Sequence, residues 1–150
     1  MYSFDGILDR MLSKRGISKS GNAVPRRFDL ISKVALVIED SKVHQEILTR
    51  SLTGKGYDVF TARDGEEGFT QFCTVVPDIT FIDIVLPGQS GLEVLNSIRI
   101  IDPSAKCVIM SASMTNKRLQ KALEEGVDYL LLKPFRKVDL DDILDRFEAN

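Results

Sequence analysis

From Lys33 onward, short apolar runs alternate with longer amphipathic stretches, and this alternation restricts the fold more than any other feature of the chain. Runs rich in β-branched and aromatic residues predict strands, and stretches with apolar residues three and four apart predict helices. We predict strands over residues 34–38, 57–61, 79–83, 107–111 and 129–132, and helices over 41–53, 65–76, 91–101, 116–125 and 138–147. The sequence therefore predicts five β-α units in series.

The first, third and fourth predicted strands are apolar almost without interruption. Such runs are typical of parallel strands that are buried on both faces, and the single apolar stripe of each helix can cover one face of a sheet. With right-handed crossovers, these units predict an α/β fold in which a doubly wound, five-stranded parallel sheet is flanked by helices. Ligands of such folds bind beyond the carboxyl ends of the strands, where we therefore look for a site.

The first 32 residues differ in composition from the rest of the chain. They carry six basic and three acidic side chains, so the overall net charge of −2 leaves −5 for residues 33–150. An acidic main body disfavours nonspecific nucleic-acid binding. Apolar residues at helical spacing predict an amphipathic helix over residues 4–12, and the Gly/Ser/basic stretch that follows is typical of a linker. We divide the chain into an N-terminal extension, 1–32, and one domain, 33–150.

Two interpretations of this extension stay open, a floppy or surface-laid segment and a docking or dimerisation helix. The composition is otherwise that of an ordinary globular protein, with 43% hydrophobic and 28% charged residues. Cys73, Cys107 and the single His44 have no zinc-like spacing, and we expect buried, reduced thiols. We find no run of ~18 apolar residues and no secretory segment, so we expect a cytoplasmic protein without membrane contact.

Polar side chains end the predicted strands that should meet at one edge of the sheet. Glu39 and Asp40 follow the first strand, and Asp83 ends the third. Because three carboxylates brought together repel one another, such a site requires a cation. Oxygen ligands favour a hard ion, and Mg²⁺ suits a site that must also admit phosphoryl oxygens. The backbone carbonyl of Val85 is a candidate for a further metal ligand.

Later strand ends provide groups that could stabilise a phosphoryl group. Lys133 follows the fifth strand and can pair with Asp83, while Ser111 ends the fourth strand and Ala112 comes next. Phosphoryl transfer mainly requires positioning and charge neutralisation, which the lysine, the serine hydroxyl and the Ala112 N–H could provide. Asp83 would be the nucleophile and would become an aspartyl phosphate. We therefore predict four catalytic positions: Asp83, Lys133, Ser111 and Ala112.

Residues 33–149, about four-fifths of the chain, resemble a response-regulator receiver domain of bacterial two-component signalling. The resemblance depends on the acidic pair, the acceptor aspartate, the turn after it, the switch hydroxyl with its small neighbour and the lysine motif. These correspond to Glu39-Asp40, Asp83, Pro87 with Gly91, Ser111-Ala112 and Lys133-Pro134-Phe135. The resemblance implies a flavodoxin-like fold of strand order 2-1-3-4-5, a cis Lys133-Pro134 peptide, and output through the fourth helix, fifth strand and fifth helix.

The same resemblance implies that a histidine kinase or a histidine phosphotransfer protein donates the phosphoryl group. Only 17 residues follow Lys133, so we expect no separate output domain and a protein contact, with an unknown target or a second copy of the chain, as the output. We expect no enzymatic turnover beyond self-catalysed phosphoryl acceptance and autodephosphorylation. The alternative is a receiver-like interaction module that is never phosphorylated.

Two other classes fit the sequence less well. An aspartate-nucleophile phosphohydrolase would require a second carboxylate where Val85 stands. A flavin-binding protein would require a hydroxyl-rich phosphate loop where Glu39 and Asp40 stand. The phosphoacceptor interpretation accounts for all of these positions.

Three further positions, Leu130, Val85 and His44, each lead to a separate prediction. Leu130 occupies the position where many family members have a switch aromatic, and strand alternation should direct its neighbour Tyr129 to the opposite face. Apolar Val85 cannot position an attacking water, so we expect moderate to slow autodephosphorylation. His44 is expected to be a solvent-facing residue near the surface where a donor would dock.

Overall fold

Five parallel strands form a central sheet, and helices cover both of its faces. The computed structural model describes residues 33–112, 117–124 and 126–149, so the predicted extension, 1–32, lies outside the described residues. The strands are β1 (Lys33–Ile38), β2 (Tyr57–Ala62), β3 (Ile79–Asp83), β4 (Cys107–Ser111) and β5 (Tyr129–Leu132). The helices are α1 (Lys42–Gly54), α2 (Gly65–Val75), α3 (Gly91–Ile101), α4 (Lys117–Glu124) and α5 (Lys137–Glu148).

The strand order is β2-β1-β3-β4-β5, which confirms the predicted topology. The register aligns the carboxyl ends of neighbouring strands: Ile38 of β1 pairs with Ile82 of β3, and Asp83 of β3 pairs with Met110 of β4. Ser111 of β4 pairs with Leu132 of β5. Residues that follow β1, end β3 and β4, or follow β5 therefore meet at one edge of the sheet.

The core consists of two apolar clusters, one on each face of the sheet. The cluster beneath α2 and α3 contains Ile82 and Ile98, and Leu130 packs against it. The cluster beneath α1 and α5 contains Phe81 and Leu144, and Tyr129 packs against it. Leu130 and Tyr129 thus lie on opposite faces, as strand alternation predicts. None of the helices in the described segments is long and apolar enough to cross a membrane.

The element boundaries differ from the predicted ones by one residue at several ends. Ser41 acts as the N-cap of α1, its hydroxyl accepting a hydrogen bond from the His44 N–H, so the helix itself begins at Lys42. Helix α2 ends at Val75 because Val76 adopts a left-handed conformation with φ of 44°. The outer limits predicted for α4, Asn116 and Glu125, lie outside the described residues.

A short antiparallel hairpin after β3 was absent from the sequence prediction. It pairs Val85–Leu86 with Gln89–Ser90, and Gly88 between them has φ of 72°. Two-residue ladders are too short to show an alternating pattern in the sequence. Both described cysteines are free thiols; Cys107 is buried as expected, whereas Cys73 is only half-buried.

Two aspartates that lie just before strands accept a hydrogen bond from a backbone N–H near the start of the neighbouring strand. Asp78 Oδ2 accepts a hydrogen bond from the Val34 N–H of β1 at 2.7 Å, and Asp128 Oδ2 accepts one from the Cys107 N–H of β4 at 2.9 Å. Arg99 also donates to Asp128, at 3.1 Å. These contacts fix where β1 and β4 begin relative to their neighbours.

Asp78→Ala should lower the free energy of unfolding by about 1–3 kcal/mol, because the buried Val34 N–H would lose its side-chain acceptor. Urea unfolding followed by circular dichroism measures the difference. Asp58→Ala is the matched control, since Asp58 is exposed on β2. Equal stability of the two variants would contradict the structural role of Asp78.

Candidate functional site

The carboxyl edge of the sheet contains a pocket with a volume of about 380 Å³. Its position follows from the strand register, because the residues that end or follow four of the strands converge there. The pocket is lined by Glu39, Asp40, Ser41, His44, Asp83, Ile84, Val85, Ser111, Ala112 and Lys133. The structure therefore brings together every residue that the sequence predicts for the site.

Lys133 forms ion pairs with two buried carboxylates. Its Nζ lies 2.8 Å from Asp83 Oδ2 and 2.5 Å from Glu39 Oε2. Glu39 is 1% exposed and Asp83 is 7% exposed, so both charges are withdrawn from water. The sequence predicted the contact with Asp83 and missed the contact with Glu39. The Lys133-Pro134 peptide is cis, as the family resemblance implied.

Burial and charge act in opposite directions on this ion-pair network. Burial raises the pKa of Glu39, and the hydrogen bonds from Lys133 and from the Ser41 N–H oppose that rise only in part. Burial alone would lower the pKa of Lys133, but its hydrogen bonds to Asp83 and Glu39 raise it above the ordinary lysine value. Lys133 therefore stays positively charged, while the negative charge on Glu39 remains costly without a further cation.

The three carboxylates form a group that could hold a metal ion. Glu39, Asp40 and Asp83 each place one oxygen so that all three oxygens lie within 4.8 Å of one another. Asp40 is exposed, whereas the other two are buried. Because all three donors are carboxylate oxygens, the group fits a hard dication such as Mg²⁺. Bound there, Mg²⁺ would neutralise carboxylate and phosphoryl charge.

Val85 lies beside this group. Its N–H donates to Asp83 Oδ1 at 3.1 Å, and its side chain is 57% exposed. The contact fixes the orientation of the Asp83 carboxylate. That the Val85 carbonyl oxygen acts as a metal ligand stays a prediction.

Ser111 and Ala112 line the pocket on the side of β4. Ser111 is buried, and its carbonyl oxygen accepts a hydrogen bond from the Lys133 N–H at 2.8 Å. This bond joins the ends of β4 and β5, so the serine and the lysine are held at a fixed separation. A hydroxyl and a backbone N–H at this point are suitable donors for an anionic oxygen.

Gly91 allows the chain after Asp83 to turn back closely against the strand. Its N–H donates to the Ile84 carbonyl at 2.9 Å, and a Cβ at this position would lie 2.1 Å from the Asp83 carbonyl oxygen. Only glycine permits such an approach. The turn thereby holds the backbone of the site aspartate against the first residue of α3.

His44 lines the pocket, whereas its position in the sequence predicts a solvent-facing residue. Its Nδ1 is 3.7 Å from Glu39 Oε1, and that nitrogen is buried without a hydrogen-bond partner. The side chain as a whole is 38% exposed. Side chains in the first turn of a helix tilt toward its N-terminus, so His44 extends over the loop that carries Glu39. The Ser41 N-cap is the sequence signal from which this placement could have been inferred.

Comparison with known proteins gives matches over the part of the chain that contains the sheet and the pocket. A family model for the response regulator receiver domain matches residues 35–145. The DNA-binding response regulator MtrA of Mycolicibacterium smegmatis is 30% identical over 112 residues, which cover 75% of this chain and 49% of MtrA. The transcriptional regulatory protein DltR of Streptococcus agalactiae is 33% identical over 111 residues, which cover 74% of this chain and 48% of DltR. This chain thus spans about half the length of the curated relatives it matches.

The fold also matches that of solved proteins. The response regulator protein TrrA of Thermotoga maritima, crystallised in complex with Mg²⁺-BeF, superimposes with a TM-score of 0.69 at 30% sequence identity. The match covers 77% of this chain and 98% of TrrA.

Proposed function

This chain belongs to the response-regulator receiver family of two-component signalling, and on that premise we propose that Asp83 accepts a phosphoryl group from a histidine kinase or a histidine phosphotransfer protein. The observation that carries this proposal is the position of the Asp83 carboxylate. It lies at the end of β3, beside two further carboxylates and 2.8 Å from Lys133. A buried carboxylate with a lysine and a cation site around it is suited to receive a phosphoryl group.

In the proposed step, an Asp83 carboxylate oxygen attacks the phosphorus of a phosphohistidine. A P–O bond forms as the P–N bond breaks, and the electron pair of that bond stays on the imidazole nitrogen of the donor, which is then protonated. Lys133 neutralises one phosphoryl oxygen, and the Ser111 hydroxyl and Ala112 N–H donate to others. Water later cleaves the same acyl phosphate, so the domain catalyses only its own phosphorylation and dephosphorylation.

We also propose that residues 33–150 form the receiver domain and that residues 1–32 are a separate extension. The family match, residues 35–145, supports this division because it begins just inside β1. The receiver domain would signal whether Asp83 is phosphorylated through a contact with a protein. Direct contact with nucleic acid is disfavoured because residues 33–150 carry a net charge of −5.

Intact-protein mass spectrometry after incubation with Mg²⁺ and a small acyl phosphate tests the phosphoacceptor function. We expect one added phosphoryl group per chain, none when a chelator removes Mg²⁺, and the same gain in a chain that begins at Lys33. Borohydride reduction of the acyl phosphate, followed by peptide sequencing, should locate the modification at position 83. If the native chain gains no phosphate, the unphosphorylated interaction module becomes the better description, whereas a gain at another residue would mean that Asp83 is not the acceptor.

Val85 should determine how long the phosphoryl group persists. Its exposed apolar side chain stands beside Asp83 and offers no hydrogen bond to an attacking water, so we expect the native aspartyl phosphate to last minutes or longer. Val85→Asn adds a polar group that can orient water and should shorten the lifetime about tenfold or more. Val85→Ala is the apolar control. The decay of the phosphorylated mass after removal of the donor gives the rate for each of the three chains, and a native half-life of seconds would contradict this role.

A further inference from the structure

Asp40 is the member of the carboxylate group whose side chain is not held by a contact of its own. Glu39 and Asp83 are both ion-paired with Lys133. Within the described segments, no hydrogen bond or ion pair reaches the Asp40 carboxylate, which is also exposed. The place of Asp40 in the group is therefore determined by the backbone that carries it.

The side chain of Gln45, in the first turns of α1, holds this backbone. Its Nε2 donates to the Glu39 carbonyl oxygen at 2.5 Å and to the Ala62 carbonyl oxygen at 3.4 Å. Both acceptors are carbonyl oxygens, so the amide nitrogen, which carries two N–H donors, is the atom that must face them. The backbone N–H of Gln45 also donates to the Ser41 carbonyl oxygen at 3.0 Å. Gln45 thus joins α1 to the loop after β1 and to the end of β2.

The Glu39 carbonyl belongs to the peptide unit that connects Glu39 to Asp40. A peptide unit is planar, so a fixed carbonyl direction also fixes the direction in which the chain continues to Asp40. On its other side, Glu39 is held by its own N–H, which donates to the Ala62 carbonyl oxygen at 2.9 Å. The contacts of Gln45 and Ala62 therefore orient Asp40 relative to the buried Glu39 carboxylate.

We propose that Gln45 is a positioning residue for the divalent cation: by holding the peptide between Glu39 and Asp40, it keeps the Asp40 carboxylate beside those of Glu39 and Asp83. Gln45 does not line the pocket, so it acts through the backbone and not as a metal ligand. Groups that hold metal ligands in place typically contribute about 10–100-fold to metal affinity. The role rests on the cation site of the proposed phosphoacceptor, but it concerns cation binding alone.

The test is a titration of the full chain with Mg²⁺, followed by the NMR shifts of its backbone amides. Gln45→Met keeps the approximate length of the side chain but removes both N–H donors, and it should weaken Mg²⁺ binding by about tenfold. Gln71→Met is the matched control and should keep the native affinity. Gln71 lies on α2, is half-buried like Gln45, and does not line the pocket.

A double-mutant cycle with Asp40→Asn separates positioning of Asp40 from a purely structural role. Because Gln45 acts through Asp40, Gln45→Met should weaken binding by less than about twofold further once Asp40 has been replaced. Urea unfolding gives a second measure that does not depend on residual binding by Asp40→Asn. Gln45→Met should gain less stability from added Mg²⁺ than the native chain gains.

Three results would each overturn the proposal: native-like affinity in Gln45→Met, an equal loss of affinity with and without Asp40, or an equal loss of stability with and without Mg²⁺. No phosphoryl donor is present in these measurements, so their outcome does not depend on phosphorylation of Asp83. Absence of Mg²⁺ binding by the native chain would overturn the positioning role together with the cation site.

Discussion

Asp83→Asn should eliminate phosphorylation by a small acyl phosphate while leaving the protein folded. The amide matches the carboxylate in shape but lacks a nucleophilic oxygen, and loss of a covalent nucleophile commonly costs ~10⁴-fold or more in rate. Lys133 retains its ion pair with Glu39, so the buried lysine keeps one counter-charge. The added mass of the intact protein measures the effect.

The fold of this variant should be at least as stable as that of the native chain in the absence of Mg²⁺. The charge on Asp83 helps to raise the pKa of Glu39, so removing it lowers the cost of a charged Glu39. Asp58→Asn, on the exposed side of β2, is the matched control and should be phosphorylated like the native chain. If Asp83→Asn gained as much phosphate as the native chain, a different residue would be the acceptor.

Gly91→Ala should be the most destabilising single-methyl addition among the glycines of the described segments. A Cβ at this position would lie 2.1 Å from the Asp83 carbonyl oxygen and 2.9 Å from the Ile84 Cα, and both are backbone atoms that cannot rotate away. Overpacking of this kind costs about 3 kcal/mol or more when rigid groups must move. Urea unfolding measures the stability. A titration of the variant with Mg²⁺ should also show weaker binding of the cation, because the backbone that must shift carries Asp83.

Gly54→Ala is the control for this prediction. No atom lies within 4 Å of the Cβ that would be added there, and Gly54 is the last residue of α1. Alanine favours helix formation, so the change should be neutral or stabilise the fold by a few tenths of a kcal/mol. A Gly91→Ala chain as stable as Gly54→Ala would mean that the turn after Asp83 relaxes without cost.

Much of the fold could be predicted from the sequence, because the buried parallel strands leave long apolar runs that few other structures produce. The predicted ends of β3, β4 and β5 agree with the structure. The end of α2 was predicted one residue too late, since the left-handed conformation of Val76 has no signal in a β-branched residue. Local pattern thus identified the elements, whereas tertiary contacts determined where some of them stop.

The residues of the candidate site could also be predicted from the sequence, but not all of their contacts. That the strand ends would meet follows from a parallel sheet, which is why Glu39, Asp83 and Lys133 could be assigned to one pocket. That Lys133 would contact both carboxylates at once depends on side-chain rotamers, which spacing along the chain does not encode. The position of His44 over Glu39 was missed for the same reason.

The double ion pair of Lys133 would link cation binding to the proposed phosphorylation of Asp83. Three carboxylates and one lysine give the pocket a formal charge of −2, which one divalent cation balances. A phosphoryl group on Asp83 would add negative charge and compete with Glu39 for the same ammonium group. Glu39 would then depend more heavily on the cation, so each ligand should strengthen the binding of the other by an equal factor. Cellular Mg²⁺ concentration would in that case help to set the fraction of phosphorylated chains as well as the rate at which they form.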